Sequence, residues 1–519
     1  MVRSLRLFTI ASISIFAIGV GISQQRQMTS SSRVKPVEAY WQETGLESQT
    51  LEDLFTSSLC YTSEKHFLAC INSLQRAGEK ANLYLVGENT FKSLNQRVKN
   101  QTEREYLLSW SHFYKTRFED AVSFDFLGTW QQLKNHLPQE SLLMAIGAGL
   151  NGFLAVMKDP HTYLVPLNYY KEVLSQNKSK SNVLGLTLSK SPAGEVFIKK
   201  VLPKSLAEKS GLRKNDFIFS INGKELHGLS MTAVSELMKG PEGTEVHFEV
   251  QRGSKTIKIA IIKVSQVLPT ASGQIAENDP RVGRIVITRF AKNTCQEFKS
   301  ELRELMDKGI RGLMLDLRDN PGGQMDEAAC VVSLLAGVDK KVFELRYLDT
   351  TKDVESYYGS EEAIFHGPVA ILINRGSASA AEIVAGTLRD YGRALLVGER
   401  TFGKGSFQEG EVWSQNDKIA LFETKGFYYL PSGSSPQLQG LEPDVAVEFK
   451  DSSMAQREED QYLGPLVAPP HVGWLASERT QKLPQQCYSQ KASGGDDIEA
   501  SIAQESLFCL LASSGENVR

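Results

Sequence analysis

The sequence predicts an α+β chain of several domains: a helical N-terminal region, a small β-rich module, an α/β layered core and a polar C-terminal extension. Three observations carry this expectation. The chain has 519 residues, room for several domains at roughly 100–200 residues each. Near residue 180 its texture changes to short strands broken by Gly and Asn turns. Near residue 282 it changes again, to short apolar runs alternating with helix-like segments. With 58 Lys+Arg against 61 Asp+Glu the formal charge is −3, and 41% of residues are hydrophobic. That balance excludes a largely disordered chain and gives no basic footprint for nucleic acid.

Taken in order, residues 1–23 have the layout of a secretory signal. Arg3 and Arg6 precede an apolar run from Leu7 to Ile22, and a Ser-rich stretch follows. Gly21-Ile22-Ser23 is the candidate cleavage site, and an uncleaved anchor is the alternative. Residues 35–165 read as helical. Within them Ser141 to Met157 is apolar, yet its glycines suit a packed helix better than a second membrane span. Six cysteines (Cys60, Cys70, Cys295, Cys330, Cys487, Cys509) in an exported chain permit disulfides. Cys60–Cys70 and Cys487–Cys509 are natural local pairs, and buried free thiols are the alternative.

Residues 180–266 hold Val183-Leu184-Gly185-Leu186, Val201 to Ala207, Gly211-Leu212, Asn215-Asp216, Ile218 to Gly223 and a helix candidate at Thr232 to Lys239. In that order they resemble a PDZ domain of the circularly permuted type. The resemblance implies that Leu184, Gly185 and Leu186 form the loop that captures a substrate C-terminus, whose chain then adds as a strand. Residues 267–450 alternate strand candidates at Arg284 to Arg289, Gly312 to Leu317, Val369 to Asn374 and Ala394 to Val397 with helix candidates at Thr294 to Lys308, Met325 to Ala336 and Ser379 to Arg389. Residues 451–519, with an acidic cluster at Glu458 to Asp460, read as a loosely packed extension.

The chemistry concentrates between Asn374 and Gln408. Gly376-Ser377-Ala378-Ser379-Ala380-Ala381-Glu382 joins a strand to a helix, where backbone N–H groups can stabilise an oxyanion. Ser379-x-x-Glu382 is equally a capping box, which needs no catalysis. Thr401-Phe402-Gly403-Lys404-Gly405 places a lysine between glycines, and burial can lower a lysine's pKa enough to make it a base. The two together read as a Ser-Lys dyad. Gly398 to Gly405 also approaches a phosphate-binding loop, but Gly405 stands where the Mg²⁺-binding hydroxyl belongs.

These stretches resemble the carboxyl-terminal processing (tail-specific) proteases, PDZ-containing Ser-Lys serine peptidases. Asp159-Pro160-His161-Thr162-Tyr163-Leu164, Leu315 to Gly323, Gly376 to Asp390, Thr401 to Gly405, Gln408, and Pro431-Ser432-Gly433 through Gly440 to Val445 follow in family order. The resemblance implies a ClpP/crotonase-like core and assigns roles. Ser379 is the nucleophile, with Ser377 its rival; Lys404 is the general base and Gln408 orients it. Ala380 and either Gly322 or Gly323 are the oxyanion donors, and Asp390 supports the site. It implies no cofactor, and the histidines form no metal-ligand array. The expected partners are proteins with apolar C-termini, with a homodimer or an adaptor protein left open and no nucleic acid. The expected place is the bacterial periplasm or cell envelope, anchored to the inner membrane only if the N-terminal segment is retained. Ala381 replaces a frequent Ser, and His161 stands where Tyr is common. A non-catalytic scaffold has no chemical need of Ser379, Lys404 and Gln408 together. An ester hydrolase of another kind would want the G-x-S-x-G elbow that is missing here.

Overall fold

A computed structural model of the protein describes residues 37–79, 103–118, 124–175, 184–191, 194–202, 204–229, 231–240, 242–264, 269–276, 279–447, 457–475, 485–487 and 497–513. The expected signal or anchor lies outside them. The described residues divide into two units, one within Val34–Ser175 and Gly273–Arg519, the other within Gln176–Ser272.

The first unit opens with helices. Gln139–Met157 is long and apolar enough to cross a membrane, but it packs along Glu64–Glu79. Its glycines explain how closely. A Cβ on Gly152 would lie 2.5 Å from the Asn72 carbonyl oxygen, and one on Gly147 would lie 2.3 Å from the Trp41 ring. Cys60–Cys70 pins the turn at Leu59–Tyr61 to the neighbouring helix.

The core of this unit holds two sheets. In the first, Val445–Ala446, Ala394–Gly398, Val369–Ile373, Gly312–Asp316 and Asp279–Ile287 run parallel in that spatial order, with Ala271–Ala276 at the edge. Gly312–Asp316, Val369–Ile373 and Ala394–Gly398 are buried at every position, which is why they read as unbroken apolar runs rather than alternating ones. Helices Thr294–Asp307, Met325–Ala336 and Ala380–Asp390 connect these strands, and Cys295–Cys330 ties the first two together. In the second sheet the long strand Ile419–Tyr429 pairs antiparallel with Tyr163–Pro166, Lys341–Tyr347 and Ser406–Val412.

The C-terminal extension differs from the sequence expectation. Helix Ile498–Ser513 packs on the parallel sheet, with Ile502, Ala503 and Leu507 in its core. Asp497 just ahead of it and Glu499 in its first turn converge on Arg318, which also pairs with Asp316 at 2.8 Å. Cys487–Cys509 closes the segment. The segment is therefore packed on the core through this helix and these ion pairs rather than loosely attached.

In the second unit the described strands run in the order Leu186–Lys190, Val196–Val201, Phe217–Ile221, Glu245–Arg252 and Lys255–Ile262. Helix Met231–Leu237 packs on the same core as Leu186 and Leu188. Leu186–Lys190 lies at the sheet edge. Gly185 just before it has φ +80°, and a Cβ there would lie 2.2 Å from the Ser205 Cβ, so the turn into the strand requires glycine.

Candidate active site

Three loops leave the C-terminal ends of adjacent parallel strands, the usual place for a site in such a sheet. The loop after Gly312–Asp316 carries Gly322 and Gly323, the turn after Val369–Ile373 carries Ser379, and the loop after Ala394–Gly398 carries Lys404. Lys404 directly precedes the strand Ser406–Val412 of the second sheet. The site therefore lies where the two sheets of this unit meet.

Ser379 caps helix Ala380–Asp390 with φ 56° and ψ −117°, a conformation an L-residue adopts only when its surroundings impose it. The imposing group is Glu382, fully buried, whose Oε2 accepts the Ser379 N–H at 2.9 Å. The same oxygen accepts the Lys404 N–H at 2.9 Å, and Oε1 accepts from Thr401 Oγ1 and from the Gly403 N–H. Burial pushes the Glu382 carboxyl up to about 7 against the pull of these four donors. The Tyr428 hydroxyl bridges the same two loops, lying 3.2 Å from the Ser379 carbonyl oxygen and 2.8 Å from that of Lys404. The capping box read from the sequence is therefore present, and it also fixes the lysine loop.

Ser377 is differently placed. Its buried hydroxyl donates to the Leu317 carbonyl at 2.8 Å and accepts the Asn374 N–H at 3.0 Å, a role in holding the turn.

Lys404 is 2% exposed. Burial lowers its pKa, and the carboxylates of Glu458, Asp159 and Glu382 oppose that in decreasing order. Its Nζ donates to the Ser406 carbonyl and to Gln408 Oε1, both at 3.0 Å. Gln408 is itself oriented, since its Nε2 donates to Ser406 Oγ and to Thr424 Oγ1. Thr424 Oγ1 in turn donates to Asp159 Oδ1 at 2.7 Å. Asp159 also accepts from the His161 N–H and from Thr162 Oγ1. The Asp159-Pro160-His161-Thr162 stretch thus reaches the lysine through Thr424 and Gln408, a role its sequence does not reveal.

Gly322 packs against the turn, since a Cβ there would lie 2.7 Å from the Ser379 Cβ. Its N–H donates to Asn320 Oδ1 at 2.9 Å, and its carbonyl accepts from Phe290. The neighbouring Gly323 N–H has no such partner among the described residues, and Ala380 occupies the first turn of its helix. Asp390 lies at the far end of that helix, where it accepts the Ser432 N–H at 2.9 Å. It supports the Pro431-Ser432-Gly433 turn. Leu184, Gly185 and Leu186 belong to the other unit. Among the described residues no cluster of His, Cys, Asp and Glu suits a metal ion.

A buried lysine and a strained serine on loops tied by one carboxylate, in a chain that also carries a separate small β-rich unit, define a class. Residues 281–447 match Peptidase family S41, and residues 197–252 match the PDZ domain. The carboxy-terminal processing protease CtpA of Bacillus subtilis (strain 168) is 28% identical over 307 residues, 59% of this chain and 64% of that protein. The chain thus spans a little under two thirds of that relative's length. A probable CtpA-like serine protease of Staphylococcus aureus (strain bovine RF122 / ET3-1) is 28% identical over 444 residues, 83% of this chain and 77% of that protein. Among solved structures, a putative S41 protease from Bacteroides fragilis NCTC 9343 aligns with a TM-score of 0.47 and 19% identity over 72% of this chain and 90% of that one. The chain thus carries a Peptidase family S41 domain and a PDZ domain, and it is similar to carboxy-terminal processing proteases.

Proposed function

We propose that the chain is an exported serine endopeptidase that selects proteins by their C-termini and cleaves them with a Ser379–Lys404 dyad. One observation carries the reading most. Lys404 is buried, and its Nζ donates to two acceptors, the Ser406 carbonyl and Gln408 Oε1. A neutral amine has two hydrogens and one lone pair, so these two acceptors leave the lone pair to take a proton. That is the state a general base needs.

Neutral Lys404 takes the Ser379 Oγ proton as Oγ attacks the peptide carbonyl carbon. The developing oxyanion is held by the Ala380 N–H and the Gly323 N–H, because the Gly322 N–H is spent on Asn320. The lysine ammonium then passes its proton to the leaving amine. A water deprotonated by Lys404 hydrolyses the acyl-enzyme and restores Ser379. Glu382 and Tyr428, bonded to the Ser379 N–H and carbonyl oxygen, oppose relaxation of the strained backbone there.

In the PDZ unit, the turn at Leu184-Gly185-Leu186 offers backbone N–H groups to a carboxylate. The edge strand Leu186–Lys190 offers a row of hydrogen-bonding groups to the residues before it. Export is supported by three disulfides that pair all six cysteines, since such bonds persist in oxidising compartments. The test is a pair of peptides of one sequence with an apolar last residue, one ending in a free carboxylate and one amidated. The free peptide should be cut at least about tenfold faster, the effect of one lost charge-assisted anchor. Equal rates would remove the C-terminal selection, and no cleavage of either would remove the endopeptidase reading.

A further inference from the structure

The acidic run Glu458 to Asp460 reads in the sequence as a solvated cluster, yet its first member is buried within the candidate site. Glu458 is 0% exposed. Its Oε1 accepts from His161 Nε2 at 3.1 Å and from Gln437 Nε2 at 2.8 Å. Its backbone N–H donates to the Phe402 carbonyl, two residues before Lys404. Gln437 Oε1 accepts the Gly405 N–H at 2.8 Å, one residue after Lys404. The lysine loop is therefore held on one side by the Glu458 backbone and on the other by Gln437, the amide that the Glu458 carboxylate orients.

Glu458 Oε2 is buried and has no hydrogen-bond partner among the described residues. Leaving a buried carboxylate oxygen unpaired is costly, and the neighbouring carboxylates do not share the condition. Both oxygens of Asp159 take donors, and the two oxygens of Glu382 take four. Of the three carboxylates that face Lys404, Glu458 acts on it most strongly. Burial alone would push the Glu458 carboxyl up, but the His161 ring, then Lys404 and Gln437, hold it below its ordinary range, so it carries its charge.

We propose that Glu458, delivered by the C-terminal extension and held by His161 and Gln437, is the counter-charge that sets how readily Lys404 gives up its proton. The inference rests on the Ser379–Lys404 reading. Glu458 is then a positioning residue, acting through the lysine without touching substrate. It also gives a purpose to one departure of this chain, the histidine at position 161, and to the buried acidic start of its C-terminal extension.

The experiment uses the full chain and a fluorophosphonate probe that acylates reactive serines, with the labelling rate measured from pH 5 to pH 10. Only folded molecules label, so the midpoint of the acid limb does not depend on how much of a variant folds. Glu458→Gln keeps the shape and an acceptor oxygen but removes the charge. Its acid limb should move to lower pH by about one unit, because an anion near an ammonium favours the protonated form. Glu458→Asp keeps the charge, and its limb should stay near that of the unaltered chain. A Glu458→Gln limb that stays in place or moves upward would overturn the inference while leaving the dyad intact. No labelling of the unaltered chain at any pH would overturn the dyad, and the inference with it.

Discussion

A single oxygen, Oε2 of Glu382, accepts the backbone N–H of Ser379 and the backbone N–H of Lys404, each at 2.9 Å. The two loops that carry the proposed nucleophile and base are therefore registered to one atom. That atom belongs to the helix whose first residues follow Ser379.

Glu382→Gln should be destabilising. The glutamine turns an NH₂ toward N–H donors, and one buried donor facing another costs about 1–3 kcal/mol. The pH dependence follows from the same carboxyl. Its pKa rises on folding from 4.5 to about 7, so its contribution to stability is whole below about pH 4.5 and is lost as the pH rises through about 7. Urea unfolding at pH 4.5 and pH 8 should show the unaltered chain losing about 3 kcal/mol more than Glu382→Gln over that interval.

Lys404→Arg should be as inactive as Lys404→Ala. Arginine keeps the positive charge but does not deprotonate in proteins. In the unaltered chain the rate should rise with pH to a midpoint below the ordinary lysine value of about 10.4, since burial lowers the pKa of Lys404. A Lys404→Arg variant with more than about one tenth of the activity would argue for charge rather than proton transfer.

Gly323→Ala tests the oxyanion loop separately. A Cβ at Gly323 would lie 1.9 Å from the Phe290 carbonyl oxygen, where φ is +139°, so the loop must shift. Peptide hydrolysis should fall about 100-fold or more, the cost of one lost oxyanion donor. The acid limb of the pH profile should not move, because the lysine is untouched.

Replacing Cys487 and Cys509 by alanine opens a crosslink of sequence separation 22. Helix Ile498–Ser513 covers the parallel sheet and its first residues hold Arg318, so the loss should be felt throughout the core. Thermal unfolding under oxidising conditions should report a stability lower by about 3 kcal/mol.

The sequence made some of this legible for physical reasons. The strands Gly312–Asp316, Val369–Ile373 and Ala394–Gly398 are buried on both faces, and such strands announce themselves as short apolar runs. Lys404 stands out because glycines flank it, and Ser379 because it opens a helix directly after an apolar strand. What remained hidden depends on long-range pairing. Glu458 looks like any surface acid until His161, almost 300 positions earlier, is placed beside it. The Cys295–Cys330 bond joins two helices on either side of a strand, so proximity in the chain gave no hint of it. The two serines Ser377 and Ser379 differ by spacing alone in the sequence. In the fold, the hydroxyl of Ser377 is spent on Leu317 and Asn374.

The most direct test of the dyad is to map the fluorophosphonate adduct by peptide mass spectrometry in the unaltered chain, in Lys404→Ala and in Ser377→Ala. The account predicts an adduct on Ser379 in the unaltered chain and in Ser377→Ala, and its loss in Lys404→Ala. An adduct on Ser377, or one on Ser379 that persists undiminished without Lys404, would contradict it.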